Sequence, residues 1–460
     1  MTRIETFLGA AAGWAWGPWM LVLLLGTHIF LTFRLRFIQR YMPKAIKLSL
    51  ERSNEGEGDI SHFGALTTAL AATIGTGNII GVSTAVAAGG PGAVLWMWLT
   101  GVFGISTKYV EALLAVKYRV KTPNGMSAGG PMYVLERGLG LRWLGLLFAA
   151  FTVMASFGIG NMVQANAMAG SLLNTLAIPR WVTGLVLAIL VAIVVLGGIK
   201  SIARVCERLV PFMAIAYVSG CLLILALNLP QLPHTLWLIV SDAFSGTAAV
   251  GGFIGAGMKE AVRFGVARGL FSNESGLGSA PIVAAAAQTK NPVRQALVSA
   301  TGTFWDTVVI CLITGLVVVS SGAWQEGLDG SALTHAAFER IPVIGSWILN
   351  IGLLTFVFST ILGWSYYGEK ACEYLFGSRA ILPYRLLWVL AVVVGATSTL
   401  GIVWNFSDIT NALMAVPNLV AVLLLSGVAV AETRRYLWDG SIEDAADPVP
   451  MSADLAPEES

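Results

Sequence analysis

An apolar segment that is long enough to cross a membrane, residues 64–88, is interrupted in its middle by polar residues. The interruption is 71–78, where two glycines two positions apart are surrounded by hydroxyl groups and an amide. A helix with this sequence is expected to unwind there. Because lipid cannot satisfy the freed backbone groups, an unwound segment at membrane depth persists only where it lines a cavity. The segment therefore predicts one half of a binding site within a bundle of membrane helices.

The rest of the chain has the composition of a membrane protein. It is 56% hydrophobic and 12% charged, whereas soluble proteins carry about 25% charged residues. The charges fall between long apolar runs, which predicts an all-α polytopic protein of eleven spans that begins with an uncleaved helix at 14–33. The predicted parts are a peripheral N-terminal helix with a basic segment (1–62), a five-helix unit (63–228), an external connection with a short interfacial helix (229–252), a second five-helix unit (253–432) and an acidic, disordered tail (433–460).

Several classes of function lack support in the sequence. The net charge is only +2 and no basic patch alternates with aromatic residues, so nucleic acid is not expected as a partner. The four cysteines are scattered without a metal-ligand spacing. No HExxH, GxSxG or paired-carboxylate motif is present, so an enzyme is not expected. No obligate protein partner is evident, and the lipid bilayer is the expected environment.

The basic residues predict the orientation in the membrane. Lys and Arg are retained on the cytoplasmic side, and the first loop, 34–52, is strongly basic. This places the N-terminus outside and the C-terminus in the cytoplasm. With eleven spans, 22 of the 28 Lys and Arg residues fall on cytoplasmic segments, including all those within 108–142.

A second interrupted segment aligns with the first at an offset of about 201 residues. The sequence Gly75-Thr76-Gly77-Asn78 falls on Gly276-Leu277-Gly278-Ser279, and both segments continue into runs of small residues. Five spans separate the two starts, so the second copy is inverted in the membrane, which is a known plan among secondary transporters. The alternatives are a chance match of two small-residue stretches, or a second break within 236–257. The repeat favours a break at 271–278.

Three stretches resemble the alanine/glycine:cation symporter family. They are Gly58-Asp59-Ile60-Ser61 leading into 71–78, the run 89–98 (GGPGAVLWMW), and the run 265–279 (GVARGLFSNESGLGS). The resemblance implies the leucine-transporter fold, a five-plus-five inverted repeat with one extra peripheral helix. It also implies sodium-driven uptake of alanine or glycine, and is typical of a bacterial inner membrane. A proton-coupled or other small-solute carrier of the same fold, and a channel, remain alternatives.

A small amino acid is a zwitterion, and an unwound helix offers amide groups for its carboxylate and carbonyl groups for its ammonium. We expect amides at 76–78 to bind the carboxylate and carbonyls of Ala72, Thr73 and Phe271 to bind the ammonium. Gln164 is an amide in the middle of a span, so it marks either a cavity or an interhelical hydrogen bond. The predicted substrate-binding residues are Ala72, Thr73, Gly75, Thr76, Gly77, Asn78, Gln164, Phe271, Asn273, Gly276 and Trp364.

Sodium as the coupling ion requires oxygen ligands. Ser359 and Thr360, with the carbonyl of Phe356, share one face of an apolar helix. In the fold that this sequence resembles, that helix meets the first break, which adds the carbonyls of Ala71 and Ile74. The alternative is that the hydroxyls bond to their own helix. A second sodium could use Asn78 and Thr73.

Glu274 is the only carboxylate in either break. An ionisable group at membrane depth is a candidate for function. Glu274 could bind a cation or a proton, but we favour an ion pair with Arg268 that stabilises the second break.

Overall fold

The structure, a computed structural model, describes residues 3–51, 56–245, 258–328, 330–341, 344–398 and 401–445. It is 84% helical, and two short paired strands, β1 (Val120–Lys121) and β2 (Ser127–Ala128), form one antiparallel hairpin. The helices up to the middle of the chain are α1 (Arg3–Ala15), α2 (Pro18–Arg34), α3 (Met42–Leu50), α4 (His62–Thr73), α5 (Val82–Gly89), α6 (Ala93–Lys117), α7 (Pro131–Tyr133), α8 (Arg142–Phe157), α9 (Val163–Leu176), α10 (Arg180–Val195) and α11 (Gly198–Leu227).

The second half of the chain is also a series of helices. Several spans of this bundle contain π-helical turns, for example at Gly158–Met162 and Phe304–Cys311, each of which continues directly into the next α-helix. The helices are α12 (Leu232–Ser245), α13 (Met258–Asn273), α14 (Pro281–Ala284), α15 (Pro292–Thr303), α16 (Leu312–Ser320), α17 (Gly330–Glu339), α18 (Ile344–Phe376), α19 (Ile381–Thr397), α20 (Gly401–Leu424) and α21 (Ser426–Thr433).

Eight helices in the described residues are long and apolar enough to cross a membrane, or nine if the bent pair α4–α5 is one span. The predicted total of eleven further includes α10, which has 16 residues, and the second interrupted helix. The predicted start of that helix at 253 and the predicted connection after 245 lie outside the described residues.

The predicted disorder of the C-terminal tail does not begin at residue 433. Arg434–Trp438 form a π-helical turn. Beyond this turn, the Asn291 amide donates to the carbonyls of Ile442 and Asp444, and Arg294 forms ion pairs with Glu443 and Glu51. The remainder of the tail, 446–460, lies outside the described residues.

The first interruption is short. Ser61 caps the start of α4 by accepting a hydrogen bond from the Gly64 amide at 2.9 Å. The helix ends at Thr73, and after the bend at 74–75 the chain continues through a π-helical turn into α5, with a bend of 54° between the two halves. The Asn78 side chain accepts from the Gly75 amide at 2.9 Å and so replaces the helical bond that the Ala71 carbonyl would have received.

The second interruption is longer and has a different backbone. Helix α13 ends at Asn273, so the break spans 274–280 rather than beginning at Phe271. Glu274, Gly276 and Gly278 all have positive φ angles (55°, 91° and 82°), whereas no residue of the first break does. Glycine adopts such angles without steric cost. The offset of 201 therefore aligns residue types correctly but does not imply the same local conformation.

The two breaks lie side by side. A Cβ added at Gly77 would lie 3.3 Å from the Phe271 ring and 3.5 Å from the Ser272 backbone. At one end of the bundle, the segment before α4 pairs with the segment after α14 through the bridges Glu57↔Thr289 and Ile60↔Ala287. The fold therefore brings together two chain interruptions that are about 200 residues apart in sequence.

Candidate functional site

A small cavity of about 20 Å³ lies between the two breaks. This volume holds about one water molecule. Both broken helices contribute to its walls, and α8–α9, α18 and α20 complete it. Its lining residues are Ala72, Thr73, Gly75, Gly77, Ile159, Gln164, Phe271, Glu274, Thr360, Trp364 and Asn411.

Most residues predicted to bind substrate line this cavity. Those of the first break and their surroundings meet there: Ala72, Thr73, Gly75, Gly77, Gln164, Phe271 and Trp364. Gln164 reaches the break itself, because its Oε1 accepts a long hydrogen bond of 3.5 Å from the Thr76 amide. In a continuous helix the Thr76 amide would instead donate to the carbonyl of Ala72.

Four residues predicted to bind substrate do not line the cavity. The Thr76 side chain is buried beside it, and its hydroxyl has no hydrogen-bond partner among the described residues. The Asn78 side chain accepts a hydrogen bond from the Gly75 amide within its own break. Asn273 accepts from the Ser275 amide at 2.9 Å, and the Gly276 amide donates to Glu111 at 3.0 Å. Asn273 and Gly276 therefore shape the second break.

Glu274 lines the cavity but does not form the predicted ion pair. Its Oε1 accepts from the Trp364 indole at 3.0 Å and its Oε2 accepts from the Ser279 hydroxyl at 2.5 Å. The expected pairing with Arg268 is wrong, because the Arg268 guanidinium lies over the Phe271 ring, 5.7 Å from its centre. Positive φ at Glu274 turns its side chain away from α13 and toward α18, on which Trp364 lies.

Phe271 separates the small cavity from a larger one. The larger cavity has a volume of about 250 Å³ and is lined by Phe271, Arg268, Asp408 and residues of α1. The Trp16 indole donates to the Asp408 carbonyl at 2.9 Å, which fastens the N-terminal segment to α20. Phe271 is therefore a wall that both cavities share.

Asp306 connects the two breaks from the π-helical segment between α15 and α16. Its Oδ1 accepts from the side-chain amide of Asn78 at 2.7 Å, and its Oδ2 accepts from the Ser272 hydroxyl at 3.0 Å. Sequence reasoning missed this residue, although a carboxylate within an apolar span is itself a signal of function. It also missed Ile159 and Asn411, whose types alone do not distinguish a cavity wall from a helix contact.

The residues predicted to bind sodium meet beside the cavity. The Thr360 hydroxyl donates to the Ile74 carbonyl at 3.3 Å, and a Cβ at Gly75 would lie 2.6 Å from the same hydroxyl. The Ser359 hydroxyl donates to the carbonyl of Phe356 at 2.9 Å, which is the alternative anticipated for this side chain. The Ala71 carbonyl lacks its helical partner, since the Gly75 amide bonds to Asn78. Among the predicted sodium ligands, the contact between α18 and the first break is therefore the one from Thr360 to Ile74.

This arrangement defines a class of protein. An enclosed polar site between two broken helices, deep in a bundle of membrane helices, is the site of a secondary transporter with alternating access. A solved structure with the same architecture is that of MhsT in complex with L-phenylalanine, with a TM-score of 0.57 and 15% identity, over 83% of this chain and 94% of that chain. The chain thus has the leucine-transporter fold.

Comparison of the sequence identifies the family. Residues 1–448 match the sodium:alanine symporter family. The sodium/alanine symporter AgcS of Methanococcus maripaludis is 53% identical over 432 residues, covering 92% of this chain and 94% of that protein. The probable sodium/glutamine symporter GlnT of Bacillus subtilis is 39% identical over 441 residues, covering 94% of this chain and 91% of that protein. The protein belongs to the sodium:alanine symporter family and is a sodium-coupled amino-acid symporter, not an enzyme.

Proposed function

We propose that the protein imports alanine or glycine together with sodium, and that the cavity between the breaks is the substrate site. The observation that carries this proposal is the cavity lining, where backbone amides, freed carbonyls, a carboxylate and two amide side chains surround a very small volume. These groups match both charges of an amino acid zwitterion. The remaining wall is apolar or aromatic. The cavity of about 20 Å³ must widen to admit an amino acid, and a short side chain requires the least widening.

The carboxylate of the substrate is assigned to the first break. The Gly75 amide is occupied by Asn78, whereas the Thr76 amide has only the 3.5 Å bond to Gln164. A bond of that length is weak, so a carboxylate would displace it at little cost. Gly77 has no Cβ between its backbone and the cavity, and the start of a helical segment favours an anion.

The ammonium of the substrate is assigned to the opposite side of the cavity. Glu274 supplies a negative charge, and the Asn411 Oδ1 atom is buried without a hydrogen-bond partner in the described part of the chain. The carbonyl of Ala72 has lost its helical partner. An unpartnered buried acceptor is unfavourable, so an ammonium that donates to Asn411 would satisfy it.

Aromatic residues limit the size of the substrate. Phe271 and Trp364 form two walls, and Trp364 is held in place by its hydrogen bond to Glu274. Gly160 packs so tightly behind Trp364 that an added Cβ would lie 2.3 Å from its side chain. The indole therefore cannot retreat in this direction to admit a longer side chain. This supports alanine and glycine over larger amino acids such as glutamine.

Sodium is assigned to the oxygen cluster next to the substrate. The carbonyls of Ala71, Ile74 and Phe356 and the hydroxyls of Ser359 and Thr360 would hold it. Ile74 and Gly75 are adjacent, so an ion bound at one side of the break also orders the amides that face the substrate. Binding of either ligand then raises the affinity for the other by the same factor, which is the thermodynamic basis of coupling.

The spans, the family and the basic residues also indicate the membrane location of the protein and its orientation. A multi-pass membrane protein is established by its spans and its family. We place it in a bacterial-type inner membrane with the N-terminus outside and the C-terminus in the cytoplasm, on the strength of the basic loop at 34–52. Cysteine labelling from either side of the membrane tests this orientation.

Transport by the purified protein in proteoliposomes tests the proposed function. Uptake of labelled alanine is measured with an inward sodium gradient, and with choline replacing sodium at the same ionic strength. We expect uptake only with sodium, and competition by glycine and alanine but not by glutamine or valine. Uptake driven equally well by a proton gradient would instead support the proton-coupled alternative, and competition by glutamine at equal potency would refute the size argument.

The substitution Glu274→Gln tests the substrate assignment. Loss of the charge that faces the ammonium is expected to weaken alanine binding by at least about tenfold, since charged hydrogen bonds contribute about 1.5–3 kcal/mol. The matched control is Glu432→Gln, which removes a buried carboxylate that pairs with Lys117 and does not line the cavity. Equal alanine affinity in both variants would exclude Glu274 from the site.

A further inference from the structure

Lys108 has an unusual environment for a lysine. It lies within the long apolar helix α6, its exposed fraction is 3%, and its Nζ atom has no hydrogen-bond partner among the described residues. Burial of an unpaired ammonium is very costly in a membrane interior. A sequence that retains such a residue therefore implies electrostatic compensation from its surroundings.

The compensation comes from the face of α6 that packs against the second break. Residues 104, 108 and 111 are spaced by four and three positions, so they share one face. A Cβ at Gly104 would lie 3.1 Å from the Ser275 hydroxyl. One turn beyond Lys108, Glu111 Oε1 accepts hydrogen bonds from the amides of Gly276 at 3.0 Å and Gly278 at 3.1 Å. Lys108 thus faces the second break.

Three buried carboxylates interact electrostatically with this lysine: Glu111, Glu274 and Asp306. Glu111 Oε2 also lacks a hydrogen-bond partner in the described ranges. The other titratable side chain at this position is His28 of α2, which contacts Thr107. One ammonium therefore faces three carboxylates, and one of these lines the substrate cavity.

We propose that Lys108 is the internal counter-ion of this carboxylate group and sets how many external cations move with each amino acid. The fixed positive charge of Lys108 neutralises one carboxylate charge that a further bound cation would otherwise neutralise. It also repels sodium from the region of the breaks and so reduces the affinity for the coupling ion. The inference rests on the proposed sodium-coupled uptake of a neutral zwitterion, and assigns Lys108 a positioning role with no contact to substrate.

Three variants in proteoliposomes test this role. Lys108→Met removes the charge, Lys108→Arg keeps it, and the double variant Lys108→Met/Glu111→Gln removes one charge of each sign. Glutamine keeps the carbonyl oxygen that accepts from Gly276 and Gly278, so the hydrogen bonds that stabilise the second break remain possible. The measurements are the cation-to-alanine ratio, obtained from the reversal potential of alanine flux, and the sodium concentration that half-saturates a thermal shift of the purified protein.

The expected result is specific to charge. Lys108→Met should raise the cation-to-alanine ratio by about one and lower the half-saturating sodium concentration by about tenfold, because one unit charge at several ångströms contributes on this scale at an effective dielectric constant near 20. Lys108→Arg and the double variant should both return to the wild-type values. An unchanged ratio and unchanged sodium affinity in Lys108→Met overturn the proposal, as does a defect shared equally by all three variants.

A fourth variant keeps the test decisive if Lys108→Met does not fold. Glu111→Gln alone should act in the opposite direction, with weaker sodium binding and a ratio no higher than that of the wild type. A change in the same direction as Lys108→Met, or none, overturns the proposal. Wild-type protein that transports alanine without sodium would refute the proposed function itself, so the two failures are distinguishable.

Discussion

Gly75 is the position where one added methyl group should disturb the substrate site and the sodium site together. Its amide bonds to Asn78, and its missing side chain leaves room for the Thr360 hydroxyl. A Cβ at Gly75 would lie 2.6 Å from Thr360 Oγ1 and 3.5 Å from Gln164 Oε1. Gly75 does not have a positive φ angle, so alanine is compatible with the backbone itself.

The magnitude follows from the geometry. A contact of 2.6 Å forces the Thr360 hydroxyl to move, and the cavity of about 20 Å³ has no spare volume to absorb a methyl group. Overpacking of this kind costs about 1–3 kcal/mol, which corresponds to a loss of about 5- to 150-fold in an equilibrium constant at 1.4 kcal/mol per factor of ten. We expect Gly75→Ala to weaken both alanine and sodium binding within this range.

Binding to the purified transporter tests the argument without depending on transport rates. Labelled alanine is titrated at saturating sodium, and sodium is titrated at fixed alanine. Gly81→Ala is the matched control, because the closest atom to its added Cβ, the Thr76 carbonyl oxygen, is 3.9 Å away. Gly81→Ala should retain wild-type affinities. A Gly75→Ala protein that binds both ligands as the wild type does would refute the placement of the two sites on either side of this residue.

Three further outcomes are expected. Thr360→Ala should raise the half-saturating sodium concentration about tenfold. Ser365→Ala should leave it unchanged, because within the described residues the Ser365 hydroxyl bonds only to its own helix. Trp364→Phe should admit larger amino acids in a competition assay and release Glu274 from its indole donor. Lys290 and Arg294 lower the pKa of Glu443 below its ordinary 4.5. The ion pairs of Glu443 are therefore fully formed above about pH 4.5 and weaken as the pH falls through the lowered pKa of the folded protein. Faster proteolysis after residue 438 at low pH would report this loss.

Long apolar runs and a polar interruption are local features, so the sequence alone predicted a bundle of membrane helices with a broken span. The leucine-transporter fold itself was implied by the resemblance to a known family. The sequence also singled out Gln164 and Thr360, which line the cavity, since an amide or a hydroxyl in a membrane span requires a partner; their predicted roles in binding substrate and sodium stay predictions. The partner of Glu274 was not predictable in this way. Trp364 is 90 residues away, and only the positive φ at Glu274 directs the carboxylate toward it rather than toward Arg268.

Lys108 and Asp306 show a second limit of reading a single sequence. The charge count places Lys108 in the cytoplasmic segment 108–142, yet Lys108 lies within α6 and is buried. Asp306 joins Asn78, which is 228 residues away, to the second break. Hydropathy locates such residues near a span, but which charges face each other depends on helix packing.

The different chemistry of the two breaks indicates where coupling takes place. The second break is held by the protein itself, since Glu111 binds two of its amides and Asn418 bonds to both Glu111 and the Gly276 carbonyl. The first break is held at the Gly75 amide by Asn78, but two of its backbone groups have only weaker contacts, the 3.5 Å bond from the Thr76 amide and the 3.3 Å bond to the Ile74 carbonyl. Ligands contribute most where the protein leaves backbone groups poorly satisfied. In the proposed mechanism, sodium and substrate would therefore act mainly by ordering the first break against a second break that is already formed.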